Sequence, residues 1–192
     1  MPNAAKYALS LSLKKLLSNH GLDKITVKEL VEDCGVNRQT FYYYFRDIYD
    51  LLEWTFQEDA EHFLRGTEHR DWKQGLWEVM AYLRENRTLV WNAYHSISHE
   101  AVSGFLKRTL HPFICNTVEE EAADLKQPVR QENVEFVTDV CTLMAVGIIT
   151  EWITQQEPRG GEERLEKFLV AINGSARLML QNLEGISAEK SR

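Results

Sequence analysis

Arg38, Gln39, Thr40, Tyr42 and Tyr43 stand close together in the stretch GVNRQTFYYYF, which runs from Gly35 to Phe45. Arginine and glutamine can hydrogen-bond base edges in a DNA major groove, and threonine and tyrosine hydroxyls can donate to phosphate oxygens. A tyrosine ring carries its hydroxyl outward with few rotatable bonds to freeze. On a helix beginning at Arg38, the residues Phe41, Tyr44 and Phe45 fall at i, i+3 and i+4 and turn inward, so Arg38, Gln39, Tyr42 and Tyr43 project away from that stripe. Residue types and spacing together point to nucleic-acid contact.

The surrounding chain supplies elements to position that face. Leu9, Leu13, Leu16 and Leu17 recur at helical spacing, which predicts a first helix over roughly residues 4–20 with Gly21 as its C-terminal cap. In TVKE, Thr26 and Glu29 form a capping box that opens a second helix, turning Val27, Leu30 and Val31 inward and ending near Cys34. Gly35 then supplies a turn, Val36 an apolar plug and Asn37 a new N-cap. The outline is a helix-turn-helix.

Composition sets limits on what surrounds it. With 192 residues and 44% apolar residues the chain can bury a sizeable core. The opening MPNAAKYALSLSLKK lacks the order of a secretory signal and no run of 18 or more apolar residues exists, so the expected compartment is the cytoplasm and no membrane partner is expected. Cys34, Cys115 and Cys141 are few and far apart, which suggests neither a disulfide framework nor a zinc site. Residues 1–50 hold seven Lys/Arg against six Asp/Glu, whereas the remainder holds fifteen against twenty-three. An acidic body is repelled by a polyanion, so nucleic acid is expected to meet the first fifty residues end-on.

These motifs resemble the TetR family of bacterial transcriptional regulators. The resemblance covers about residues 5–55 and rests on the joint spacing of Gly21, Thr26, Gly35, Thr40, Phe41, Tyr42, Tyr43, Phe45, Leu51 and Leu52. RQTFYYYF with the downstream LLEWTF is most similar to the firmicute-type branch that includes regulators of dihydroxyacetone kinase operons. By this resemblance Thr26 and Lys28 would touch the backbone or neighbouring bases, Arg38 and Gln39 would read bases, and Thr40, Tyr42 and Tyr43 would hold phosphates. Asn37 stands where the family often has Ser and should still cap. Ile48 stands where it often has Lys, and Arg46 would substitute for that contact.

Beyond the motif the pattern is helical throughout, giving an all-α fold: an N-terminal three-helix bundle with a helix-turn-helix, followed by a larger helical ligand-binding and dimerisation domain. The expected division is 1–47 for DNA binding and 48–192 for effector binding and dimerisation, with 48–66 as a connecting helix capped by Asp47. Further helical blocks are expected over about 72–86, 88–99, 101–126, 131–156 and 162–184. Asp71 is the expected cap of the first, Pro112 should kink or divide the third, and Gly185 should follow the last. The 131–156 block is too apolar for one buried face and the last block offers an apolar stripe, so Val140, Met144, Gly147, Ile148, Phe168, Ile172, Ala176 and Met179 are expected at a homodimer interface.

Trp91, Tyr94, His95, Phe105, Phe113 and Trp152 are candidates to line an effector cavity, and plain core suits each of them equally well. His95 and His99 stand at i, i+4, but without a third ligand nearby no metal and no cofactor is expected. No Gly-rich phosphate loop or nucleophile elbow is present, which argues against an enzyme. The reading is a homodimeric regulator on a near-palindromic double-stranded DNA operator, controlled by a small molecule or a protein partner. The competing reading is a helical dimer that docks another protein, with DNA binding secondary or lost.

Overall fold

The computed structural model describes residues 2–66, 72–155 and 174–190, together with 163, 166–167 and 170–171. Among the described residues there are nine α-helices and no strand: α1 Pro2–Leu17, α2 Val27–Cys34, α3 Arg38–Tyr44, α4 Ile48–Gly66, α5 Trp72–Glu85, α6 Arg87–Tyr94, α7 His99–Ala123, α8 Gln131–Thr154 and α9 Ser175–Lys190. They fall into two compact units. Unit 1 comprises Met1–Phe63 and Val79–Phe105, and unit 2 comprises Leu64–Glu78 and Leu106–Arg192.

In unit 1 the apolar stripe of α1 is fully enclosed, with Leu9 and Leu13 at 0% exposure and Leu17 at 1%. Each such burial contributes about 1.5–3 kcal/mol. α1 stops earlier than the sequence suggests. Gly21 is not a left-handed cap: its φ of −64° and ψ of 152° are extended, and it leads into a 3-10 turn at Leu22–Lys24. The orphan carbonyl of Leu17 is satisfied from α6, where Asn92 Nδ2 donates to it at 2.7 Å. The next turn is held likewise, with the Leu22 amide donating to Ser96 Oγ at 3.1 Å.

The capping box of α2 forms in full. Thr26 Oγ1 accepts from the Glu29 amide, and the Glu29 carboxylate accepts from the Thr26 amide at 2.8 Å. Those bonds hold the Glu29 carboxyl below its ordinary range, the Thr26 side-chain bond most of all. Gly35 ends α2 at φ +68°, where a side chain would be strained. Asp47 caps α4 by accepting from the Asp50 amide at 2.9 Å, as the sequence implies. The expected cap Asp71 lies outside the described residues.

Three further boundaries differ from the sequence reading. α6 ends at Tyr94 rather than near 99, because Ser96 Oγ donates to the Asn92 carbonyl and Ser98 Oγ accepts from the Ala101 amide, starting α7 afresh. Pro112 lies inside a continuous α7 and does not divide it. Leu110, Ile114 and Val118 are buried around it, and that burial outweighs the one helical bond a proline removes. The last block is not one helix over 162–184. Gly174 sits at φ +73°, and α9 runs from Ser175 through Gly185 to Lys190.

α8 begins without a side-chain cap of its own and takes one from α9. Glu184 Oε1 accepts from the Arg130 amide at 2.9 Å and from Asn133 Nδ2 at 2.6 Å. These bonds, the Arg130 amide first, hold the Glu184 carboxyl below its usual range. A carboxyl whose folded pKa is lowered stabilises the fold above its unfolded pKa, and that contribution fades as pH falls through the folded value. Glu184→Gln should therefore lower the melting temperature by roughly 2–4 °C at neutral pH. The difference from the natural chain should shrink in acid, measured by thermal unfolding across a pH series.

Candidate nucleic-acid interface

α3 is only seven residues long, so its face is fixed by packing rather than by helical propensity. Phe41 is 0% exposed and Phe45 is buried, their ring centroids 6.0 Å apart. Asn37 caps the helix, its Oδ1 accepting from the Thr40 amide at 2.7 Å and from the Thr40 hydroxyl at 2.9 Å. With the inner face locked, Arg38 and Gln39 are exposed, Tyr42 is 50% exposed and Tyr43 80%. The four outward residues of the sequence reading therefore share one open face. Thr40 is half-buried and its hydroxyl proton goes to Asn37, which leaves its oxygen to accept.

Contacts within the chain order the open face of α3. The Arg38 guanidinium lies 5.7 Å from the Tyr42 ring centroid, and its Nη2 donates to the Tyr42 hydroxyl at 3.4 Å. Tyr42 is held edge-on to Phe41 at 5.2 Å, and Tyr43 edge-on to Tyr44 at 4.8 Å. Thr26, Lys28 and Arg46 are also exposed. The nearby cations are paired with carboxylates: Lys28 with Glu32 at 3.8 Å, Arg46 with Asp50 at 3.4 Å, and Lys15 with Asp33. The Lys15 ammonium, with Ser12, keeps the Asp33 carboxyl below its ordinary range. Exposed pairs of this kind contribute little and exchange readily, so a phosphate can replace the carboxylate.

Two groups of residues were not singled out by the sequence. Tyr49, 52% exposed on the first turn of α4, is another open hydroxyl next in sequence to Ile48. A second group ties α1 to α4 and α5. Lys14 Nζ pairs with Asp59 Oδ1 at 2.5 Å, the Tyr82 hydroxyl donates to Asp59 Oδ2 at 2.6 Å, and the Tyr7 hydroxyl donates to Glu58 at 2.7 Å. Burial, then the Asp59 bond, pushes the Tyr82 phenol up, so it remains a donor. Lys6 Nζ lies 4.3 Å from the Trp54 ring centroid. Only the aromatic and charged types could have hinted at these long-range pairs.

The expected cavity residues divide between the units. Trp91, Tyr94 and His95 are neighbours in unit 1, with Trp91 and His95 ring centroids 4.0 Å apart, and the Tyr94 hydroxyl meets His99 Nδ1 at 2.5 Å. Burial pushes the Tyr94 phenol up. Phe105 packs near Phe56 in the same unit, while Phe113 and Trp152 belong to unit 2. No group of three or more metal-ligating side chains occurs among the described residues.

In unit 2, Val140, Met144, Ile148, Ala176 and Met179 are half-buried and Gly147 is exposed, while Phe168 and Ile172 lie outside the described residues. The largest apolar exposures on α8 and α9 are Phe136 at 57%, Leu143 at 55% and Leu178 at 57%. A small cavity of about 50 Å³, open on one side, lies among α7, α8 and the start of α9. It is lined in part by Met144 and Ala176 and by none of the six expected cavity residues.

A capped turn between two short helices, with one arginine, one glutamine and two tyrosines on the open face of the second, defines the chain as a helix-turn-helix DNA-binding protein. Residues 13–54 match the family of bacterial regulatory proteins of the tetR family, and residues 70–174, more than half of the chain, match the transcriptional regulator C-terminal region. The chain belongs to the TetR family of transcriptional regulators, a family of regulators and not of enzymes. It is 30% identical over 80 residues to the HTH-type dhaKLM operon transcriptional activator DhaS of Lactococcus lactis subsp. lactis. That match spans 41% of this chain and 43% of the relative, less than half of its length. Among solved structures, the dihydroxyacetone kinase operon activator DhaS superposes with a TM-score of 0.70 at 18% identity, over 93% of this chain and 97% of that one. A TetR transcriptional regulator from Streptococcus agalactiae superposes with a TM-score of 0.61 at 17% identity, over 89% and 94%. At these identities the likeness establishes the fold.

Proposed function

We propose that the protein is a cytoplasmic regulator that binds a near-palindromic operator as a homodimer, with its affinity set by a small molecule or protein partner held by the larger helical region. The observation that carries this is the open face of α3: Arg38, Gln39, Tyr42 and Tyr43 outward, Phe41 and Phe45 locked inward. Arg38 and Gln39 read base edges. Tyr42, Tyr43, Lys28 and Arg46 hold the backbone, and Thr26 and Thr40 join them by turning their hydroxyl protons from Glu29 and Asn37 to phosphate. Functionally, residues 1–47 bind DNA and 48–192 sense and dimerise.

Dimerisation is supported by the apolar stripe of α8. That helix is long and apolar enough by composition to cross a membrane, and only 33% of its most apolar stretch is buried within the chain. Asn133, Thr138 and Thr142 on its inner face and its packing on α9 through Asn133 and Glu184 fit a second protein surface better than lipid. A dimer places two α3 helices in successive major grooves, about 34–36 Å apart. The 48–66 helix acts as the lever, since Lys14–Asp59 and Tyr7–Glu58 bind it to α1, and coupling of about 1–3 kcal/mol is expected. The relative is named as an activator, which favours activation here.

Selection of bound duplexes from a random DNA pool tests this reading. An inverted repeat supports it, whereas a dimer without enrichment transfers the assignment to protein docking. With the selected site in hand, Gln39→Ala should relax preference at particular bases, by about 1–3 kcal/mol per base pair. Tyr42→Phe should weaken all sequences alike. Equal effects of both on matched and mismatched duplexes would contradict the assigned roles.

A further inference from the structure

We propose that Lys6 is a further DNA-contact residue, its ammonium held on aromatic rings at the end of α3, where it binds a backbone phosphate. The inference rests on the regulator reading and extends the interface to α1. Lys6 stands three residues before Leu9 and seven before Leu13, so it continues the stripe that α1 turns inward. A lysine at the end of such a stripe buries its methylenes and carries its charge to the edge of the core. Lys6 is accordingly half-buried, and its Nζ lies 4.3 Å from the Trp54 ring centroid and 5.6 Å from that of Phe45.

That edge belongs to the recognition helix. Phe45 is the residue that closes α3, and its ring centroid lies 6.0 Å from that of Phe41 and 5.7 Å from that of Trp54. Seven residues of helix span about 10 Å, and the groove that such a helix enters is about 12 Å wide. A helix this short brings both of its ends near the phosphates that border the groove, so a cation beside Phe45 is as well placed to meet one as the residues at the Arg38 end.

Lys6 differs from the neighbouring cations in its partners. Lys14, Lys15, Lys28 and Arg46 each pair with a carboxylate, and Arg46 gives both its amide and its guanidinium to Asp50. The Lys6 ammonium meets two rings and no carboxylate among the described residues. A ring covers one side of an ammonium, whose three donors leave the other side open to a phosphate oxygen. Lys6 therefore binds phosphate without first leaving an acid, and the rings have already restricted its side chain.

Binding of the full chain to a selected duplex and to a mixed-sequence duplex is measured between about 50 and 200 mM salt. Lys6→Gln should bind both duplexes roughly fivefold to tenfold more weakly at about 0.1 M salt, with the slope of log affinity against log salt flatter by about 0.9 for each half-site. Lys6→Arg should keep the natural slope. Lys126→Gln, the same charge change in the acidic region that nucleic acid should avoid, should keep it too. Acetylation of lysines read by mass spectrometry should show Lys6 protected by either duplex and Lys126 unprotected. A lysine that only closed the core would lower the melting temperature on replacement and leave the slope alone. An unchanged slope in Lys6→Gln, or undiminished acetylation of Lys6 in the DNA complex, overturns the proposal while the regulator reading stands. A natural chain that binds neither duplex at the lowest salt removes the regulator reading, and the role of Lys6 with it.

Discussion

Phe41→Ala should destabilise unit 1 by about 3–5 kcal/mol and abolish operator binding without altering any outward residue. The side chain is 0% exposed and meets Phe45 and Tyr42 at ring distances of 6.0 and 5.2 Å. A helix of seven residues has no stability of its own, so the burial of Phe41 and Phe45 is what presents Arg38, Gln39, Tyr42 and Tyr43 as one surface. The loss is a large share of the about 5–15 kcal/mol available to a domain. Calorimetry should show the transition falling well below that of the natural chain, while Tyr43→Phe, on a residue 80% exposed, leaves it in place. An unchanged transition in Phe41→Ala would show that α3 is held by something other than its inner face.

The recognition face was legible because its signals are local. Thr26 with Glu29, Gly35 and Asn37 each satisfy backbone groups within four residues, and chemistry of that range is written in the sequence itself. Gly21 misled for the opposite reason. The end of α1 is settled by Asn92 and Ser96, more than seventy residues away in the chain, so glycine is not needed there as a left-handed cap. The break at Gly174 was hidden because glycine is tolerated inside helices, as Gly185 demonstrates in the same segment.

The cavity in unit 2 was illegible for a further reason. Ile114, Val118 and Ala145 are ordinary core types, and whether such residues enclose a space depends on how three helices meet, which periodicity does not encode. The aromatic residues that looked suited to a pocket were ambiguous, since Trp91, Tyr94 and His95 pack on one another as readily as on a ligand. The cations around α3 add a consequence that only the structure reveals. To reach phosphate, Lys28 and Arg46 would have to leave Glu32 and Asp50, which would weaken non-specific attachment and raise the relative weight of base contacts in choosing a site.

Leu143→Glu should convert the protein to a monomer and reduce operator affinity by orders of magnitude while leaving each chain folded. Phe136, Val140, Leu143 and Gly147 follow one another at helical spacing on α8, and Leu143 keeps 55% of its surface exposed in the single chain. A carboxylate there is solvated in the monomer, so the fold loses little. In a two-fold interface each substitution occurs twice, and every buried unpaired charge costs about 3–5 kcal/mol. One α3 on one half-site then lacks the second groove contact that makes dimer binding tight. Sedimentation should give the monomer mass with native helicity, and the selected duplex should bind no better than a half-site. A Leu143→Glu protein that still sediments as a dimer on the same operator would place the interface away from this stripe of α8.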